Sequence, residues 1–143
     1  IITDCPPNQE LLVDTYIPVF EELNVSYLIR LCEPTYDTAV LQQAGVQVID
    51  SLSFTDGSAP VDSIVSEYRL LIDSILSNSK PVNPSATSPS KPTIAVHCVS
   101  GIGRAPLFAL IPLVDSGMDR AEAVEYIRQR RRGAFNKVQL TWI

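Results

Sequence analysis

The segment His97-Cys98-Val99-Ser100-Gly101-Ile102-Gly103-Arg104 sets a cysteine and an arginine at the two ends of a loop that carries two glycines. Phosphoryl transfer through cysteine asks for three parts: a thiolate, a cradle for the moving phosphoryl group, and an acid for the leaving oxygen. Cys98 fits the first part. A strand, a tight loop and a helix N-terminus together bring free backbone N–H groups and the helix dipole onto one point, and that field pushes a cysteine towards thiolate. The loop amides of Val99, Ser100, Gly101, Ile102 and Gly103, with the planar guanidinium of Arg104, fit the second, because that fork matches two phosphate oxygens. Gly101 and Gly103 let the backbone turn its amides inward. His97 orders the loop through hydrogen bonds rather than acting as a base, since a cysteine already held as thiolate needs none. A buried structural cysteine at a strand end is the alternative, and it does not call for this context. For the acid, Asp56 stands in the polar loop Phe54-Thr55-Asp56-Gly57, where it could protonate the leaving group and then activate water. By spacing alone Asp-Gly is equally a turn signal.

The elements that must position these residues alternate along the chain. Ile1 to Thr3 reads as a strand that runs into a turn at Pro6-Pro7, and Asn8 caps a helix to about Leu23, with Leu11, Leu12, Phe20 and Leu23 as core contacts and Pro18 as a distortion. Val25 to Leu31 is a buried strand ending at Cys32. Asp37 to Ala44 is a short helix closed by Gly45, and Val46 to Ile49 a further strand. Val61 to Leu76 has apolar residues Ile64, Val65, Tyr68, Leu71, Ile72 and Ile75 at helical spacing. Residues 77–91 turn to Ser, Pro, Asn, Thr and Lys, the composition of a flexible surface insertion. Thr93 to Val96 is the strand before the loop. Ala105 to Ser116 is a helix with Pro106 in its first turn and Pro112 expected to bend it. Gly117 stops it, and Asp119 caps a last helix to about Arg132. This alternation implies an α/β domain over residues 1–143, with a mostly parallel sheet flanked by helices on both faces and the nucleophile at a strand's C-terminal end.

Composition narrows the functions. With 143 residues, 45% hydrophobic and 19% charged, the chain is one ordinary globular domain, and a net charge of −5 argues against general nucleic-acid or acidic-membrane binding. Three cysteines make no disulfide framework and show no Cys-x-x-Cys spacing, and a single histidine rules out a histidine-rich metal centre, so no metal or cofactor is expected. No apolar run approaches the ~20 residues of a membrane span. Arg128, Arg130, Arg131 and Arg132 form a basic cluster that reads as a solvated helix end, with a secondary effect on the field of a nearby phosphate site.

The stretch from His97 to Asn136 closely resembles the phosphatases of regenerating liver, a prenylated branch of the dual-specificity protein tyrosine phosphatases. The resemblance rests on Gly103-Arg104-Ala105-Pro106, Asp115-Ser116-Gly117-Met118, Ile127-Arg128-Gln129 and Arg131-Arg132-Gly133-Ala134-Phe135-Asn136. Cys32-Glu33-Pro34-Thr35-Tyr36-Asp37 and Phe54-Thr55-Asp56-Gly57 extend it over nearly the whole chain outside the Ser/Pro-rich stretch. It implies that Asp56 is the general acid. It also implies that Ala105, standing where most tyrosine phosphatases place Ser or Thr, makes hydrolysis of the phosphocysteine slow. Cys32 matches the family's resolving cysteine, which forms a reversible disulfide with the nucleophile, here Cys98. Cys5 has no such match and reads as structural. The chain departs from the family in carrying Ser51-Leu52-Ser53 where the acid loop begins with Trp-Pro. The resemblance further implies a cytoplasmic enzyme held at membranes by a prenylated C-terminal tail that this chain does not contain.

Two readings of function follow from different classes. The first is a cysteine-dependent phosphatase acting on phosphotyrosine, or on phosphoserine and phosphothreonine, in a phosphoprotein. A phosphoinositide fits less well, since the loop carries Val99 and Ile102 rather than lysines. The second, implied by the resemblance, is a binding module that docks CNNM-type magnesium-transport mediators through the same pocket. A rhodanese-like sulfur transferase also uses a cysteine loop, but it has no need of Arg104 with an Asp56-type acid.

Overall fold

The structure, a computed structural model, describes residues 1–78 and 92–143. Its described strands are β1 (Ile2–Thr3), β2 (Val25–Arg30), β3 (Gln47–Ile49) and β4 (Thr93–His97). They form one parallel sheet in the order β1-β4-β2-β3. Helical crossovers between successive strands make the parallel arrangement possible and cover both faces. Neighbouring residues on one strand therefore enter different cores. Ile29 and Val96 join a cluster with Val65, Tyr68, Leu107, Phe108 and Ile127, whereas Leu28 and Ala95 join one with Leu12, Phe20, Leu41 and Val46. The α/β architecture read from the sequence is the one observed.

The first helical stretch comprises α1 (Gln9–Leu11), a π-helical turn (Leu12–Tyr16) and α2 (Ile17–Glu22). Asn8 caps it by accepting from the Leu11 amide at 2.8 Å. Pro18 has no N–H to give to the preceding turn, and the wide turn ahead of it absorbs that loss. The π turn also breaks the 3.6-residue period. Leu12 and Phe20 are buried as expected, but Leu11 and Leu23 are 42% and 44% exposed and are not core contacts.

Helix α3 (Ala39–Gln43) is shorter than its sequence signal, because Asp37 makes a turn by accepting from the Ala39 amide at 2.9 Å. Helix α4 (Asp62–Asn78) buries Val65, Tyr68 and Ile75. The insertion read over residues 77–91 lies, from residue 79, outside the described residues, and 77 and 78 still belong to α4. Helix α5 (Arg104–Asp115) runs through Pro112 and still buries Leu107, Phe108, Leu110 and Ile111. Asp119 caps α6 (Arg120–Arg130) by accepting from the Ala121 and Glu122 amides. Helix α7 (Lys137–Trp142) was not among the expected elements. No helix among the described residues is long and apolar enough to cross a membrane.

Phe108 ties the catalytic half of the molecule together. Its ring lies 4.4 Å from Tyr68 of α4 and 5.9 Å from Phe54, and its carbonyl accepts from the Tyr68 hydroxyl at 2.7 Å. With no exposed surface, it leaves a cavity when truncated. Phe108→Ala is expected to lower the unfolding free energy by about 3–5 kcal/mol, read as a shifted denaturant midpoint. A loss below about 1 kcal/mol would show that the ring is not a packing centre.

Candidate active site

β4 delivers His97 to the C-terminal edge of the sheet, and the chain then turns through residues 98–103 into α5. The carbonyls of the loop's first five residues are engaged outside it. That of Cys98 accepts from His97 Nδ1 at 2.9 Å and from the Cys32 thiol at 3.3 Å. That of Val99 accepts from the Cys5 amide at 2.9 Å, and that of Ile102 from the Phe135 amide at 2.9 Å. The carbonyls of Ser100 and Gly101 accept from Arg131 Nη2 and Nε, each at 3.1 Å. There are no cis peptide bonds among the described residues. In a planar trans peptide the N–H points opposite to its carbonyl. Pinning these five carbonyls outward therefore turns the amides of Val99, Ser100, Gly101, Ile102 and Gly103 away from their tethers and into the loop, as an anion nest.

The basic cluster Arg128, Arg130, Arg131 and Arg132 was expected to be solvated, with a secondary effect on this loop. Arg131 was grouped with a solvated cluster, yet it reaches back from the end of α6 to hold two loop carbonyls and an ion pair with Asp4. Arg128 likewise bonds the carbonyls of Ala134 and Phe135, while Arg130 stays outside, 3.6 Å over the Tyr126 ring. Close approach of Arg131 explains Gly101, which sits at φ +66°. A Cβ there would fall against the Arg131 guanidinium and 2.6 Å from the carbonyl of Thr3.

His97 is fully buried and bonded at both ring nitrogens, with Nε2 2.6 Å from the Tyr36 hydroxyl. Burial holds its imidazole below the ordinary histidine range, against the opposing pull of its bond to the Cys98 carbonyl. A neutral ring bonded on both sides braces the loop and has no free nitrogen to act as a base. Burial also pushes the Cys32 thiol up to about 12, reinforced by the neighbouring Cys5.

Arg104 opens α5 and is 5% exposed. Its Nη1 donates to the carbonyls of Leu31 and Phe54. Its Nε lies 3.1 Å from Asp56 Oδ1, at ion-pair distance but off the line of a hydrogen bond. The structure thus brings Asp56 and Arg104 together, across 48 residues of sequence, on one wall of a cleft of about 700 Å³ that Cys5, Cys32, Thr35 and Phe54 also line. Cys98 is 2% exposed and lies outside that lining. The three cysteines are free thiols. Cys5, read as structural, is a half-buried part of the cleft wall, with its sulfur 3.0 Å from Thr35 Oγ1 and 4.0 Å from Cys32 Sγ.

The loop that carries Asp56 is held from α7. Asn136 Nδ2 donates to the Gly57 carbonyl at 2.9 Å, and Gln139 Nε2, fully buried, to that of Ser58 at 3.1 Å. The same two residues close the capping box that starts α7. Asn136 and Gln139 at that spacing are a legible helix start, so this support had a sequence signal. Arg131 had none, because its partners are 30 and 127 residues away.

A cysteine that opens such a nest at the end of a parallel strand is the arrangement of the cysteine-dependent protein phosphatases. The chain is 41% identical over 143 residues to a probable protein tyrosine phosphatase type IVA A of Dictyostelium discoideum, covering 100% of this chain and 78% of that protein. It is 36% identical over 143 residues to protein tyrosine phosphatase type IVA 3 of Bos taurus, covering 100% and 75% respectively. The solved structure of a protein tyrosine phosphatase from Leishmania major superimposes with a TM-score of 0.79 at 33% identity, covering 99% of this chain and 83% of that one. No family model matches the chain. With relatives of this similarity over its whole length, the chain belongs to the protein tyrosine phosphatase type IVA family, the phosphatases of regenerating liver, and is an enzyme of that class.

The histidine brace has a pH signature. The unfolded chain takes up a proton at His97 near pH 6.5, the folded protein only at lower pH, so this contribution to stability is complete above about 6.5 and is lost as pH falls below it. Unfolding free energies measured at about pH 7.5 and about pH 5.5 should fall more in the wild type than in His97→Gln. Equal slopes in the two proteins would show that His97 is not held neutral by the fold.

Proposed function

We propose that this protein slowly hydrolyses phosphotyrosine, and phosphoserine or phosphothreonine as well, in phosphoproteins through a phosphocysteine intermediate. The observation that carries this reading is the outward tethering of five successive loop carbonyls around Cys98, which leaves five amides to meet a trianionic transition state. The Cys98 thiolate attacks phosphorus as the P–O bond breaks, and Asp56 gives its proton to the departing oxygen. Water then attacks phosphorus and yields a proton to Asp56, and the S–P bond breaks to return the thiolate. An incoming phosphate competes for Arg104, replacing its Asp56 partner and its carbonyl bonds with two phosphate oxygens. Asp56 is thereby released beside the leaving group. Ala105, buried and without a hydroxyl, leaves the departing thiolate unassisted in the second step.

Rapid mixing of reduced protein with a chromogenic aryl phosphate should give a stoichiometric burst followed by slow turnover. Cys98→Ser should abolish both. Asp56→Asn should slow the burst by ~10²–10⁴-fold for a poor leaving group. Ala105→Ser should speed the steady state by about tenfold, the worth of a single hydrogen bond to a charged group. Turnover by Cys98→Ser at the wild-type rate would sink the reading.

The same resemblance supports redox control. Cys32 donates its thiol to the Cys98 carbonyl, which sets its sulfur beside the nucleophile's backbone. Peroxide would oxidise Cys98 to a sulfenic acid, and the Cys32 thiol would condense with it to a disulfide, releasing water. After brief peroxide treatment, dithiothreitol should restore most activity in the wild type and little in Cys32→Ser. Equal recovery would exclude a protective role for Cys32. Docking of a CNNM-type magnesium-transport mediator, a cytoplasmic location and attachment through a prenylated tail belong to this family reading. Docking that survives in Cys98→Ser would mark it as separable from catalysis.

A further inference from the structure

The parallel register brings three donor groups to one point beside the phosphate loop. On β1 and β2, Thr3 and Arg30 both pair with His97 of β4, and Cys5 and Cys32 each follow their strand's partner by two residues. Backbone bonds fix both approaches: the Cys5 amide donates to the Val99 carbonyl at 2.9 Å, and the Leu31 amide to the His97 carbonyl at 3.0 Å. The result is a triangle of two thiols and an imidazole. Cys5 Sγ lies 4.0 Å from Cys32 Sγ, Cys32 Sγ lies 3.8 Å from His97 Nδ1, and all three atoms are within 4.8 Å of one another.

Those lengths can be set against a tetrahedral centre. Bonds of about 2.3 Å to sulfur and about 2.0–2.1 Å to nitrogen require ligand edges of about 3.8 Å between sulfurs and about 3.5 Å between sulfur and nitrogen. Two edges therefore match within about 0.3 Å. The third closes by a swing of Cys5, which is half-buried at the cleft wall, where a cation can enter. The second layer is also present. A cation on Nδ1 needs the ring proton on Nε2, and the Tyr36 hydroxyl 2.6 Å away can accept it, the arrangement that orients metal-bound histidines. Two thiolates and a neutral imidazole would neutralise a divalent charge, with water from the cleft as the fourth ligand.

We propose that Cys5, Cys32 and His97 form a binding site for a thiophilic divalent cation such as zinc, and that its occupancy switches the phosphatase off. Binding moves the imidazole proton from Nδ1 to Nε2, where Tyr36 accepts its hydrogen bond, releases the two thiol protons to solvent, and forms two metal–sulfur bonds and one metal–nitrogen bond. It also removes both tethers of the Cys98 carbonyl, the His97 Nδ1 bond and the Cys32 thiol contact, so the first peptide of the anion nest loses its orientation.

The test uses cobalt as a coloured substitute for zinc, titrated into fully reduced protein. Wild type and Cys98→Ser should each bind one cobalt with a thiolate charge-transfer band that zinc abolishes. Cys5→Ser should bind at least tenfold more weakly, with a diminished band, and Cys32→Ser should behave alike if it folds. Zinc should inhibit wild-type turnover reversibly, and Cys5→Ser should need at least tenfold more of it. A band retained in Cys5→Ser and lost in Cys98→Ser would place the cation on the nucleophile instead and overturn the proposal. Absence of any thiolate band in the wild type would reduce the triangle to packed side chains. The cobalt spectrum of Cys98→Ser needs no turnover, so failure of this site and failure of the phosphatase reading are told apart.

Discussion

The structure of the site depends on where five backbone carbonyls point. A loop that must offer amides to an anion cannot spend them on itself, so its carbonyls need partners elsewhere in the molecule. They find them on every side: His97 and Cys32 at the strand end, Cys5 on the β1 side, Arg131 from the end of α6, and Phe135 beyond it. The sheet, the last helices and the first turn of the chain are thus all parts of one scaffold for residues 98–103. Burial of unmade hydrogen bonds is costly, and this makes the scaffold cooperative: each tether is held in place by the others.

Cys98 and Arg104 could be proposed as site residues from the sequence because the motif is local. Strand, loop and helix follow one another within a dozen residues, and helical or strand periodicity on either side carries enough signal to fix their types. The two-faced sheet was legible through the alternation of strands and helices along the chain, and Leu28 and Ile29 enter opposite cores as that arrangement requires. Asp56 needed more, since an Asp-Gly pair says turn before it says acid; a family likeness raised it, and in the structure it forms an ion pair with Arg104. Arg131 and Cys5 were not legible as site residues, and Gln139 was legible only as part of a helix start. Their roles come from contacts between residues tens of positions apart, and an arginine at a helix end or a glutamine in a first turn looks alike whether it is solvated or buried. Leu11 and Leu23 went astray for a different reason: a π turn interrupts the period from which their faces were inferred.

Electrostatics in the cleft is arranged by exchange rather than by vacancy. Arg104 has internal partners, bonded through Nη1 to two carbonyls and paired through Nε with Asp56. A buried guanidinium left bare would be costly, so the fold supplies stand-ins for the phosphate oxygens.

The capping box of α7 joins two structures that the chain separates by about eighty residues. Asn136 and Gln139 start a helix and hold the acid loop with the same side chains, so neither task can be altered alone. Variation in the tail of this domain is therefore inherited by the loop opposite. Homologues that differ there should differ in leaving-group preference as well, even where every residue that touches phosphate is the same.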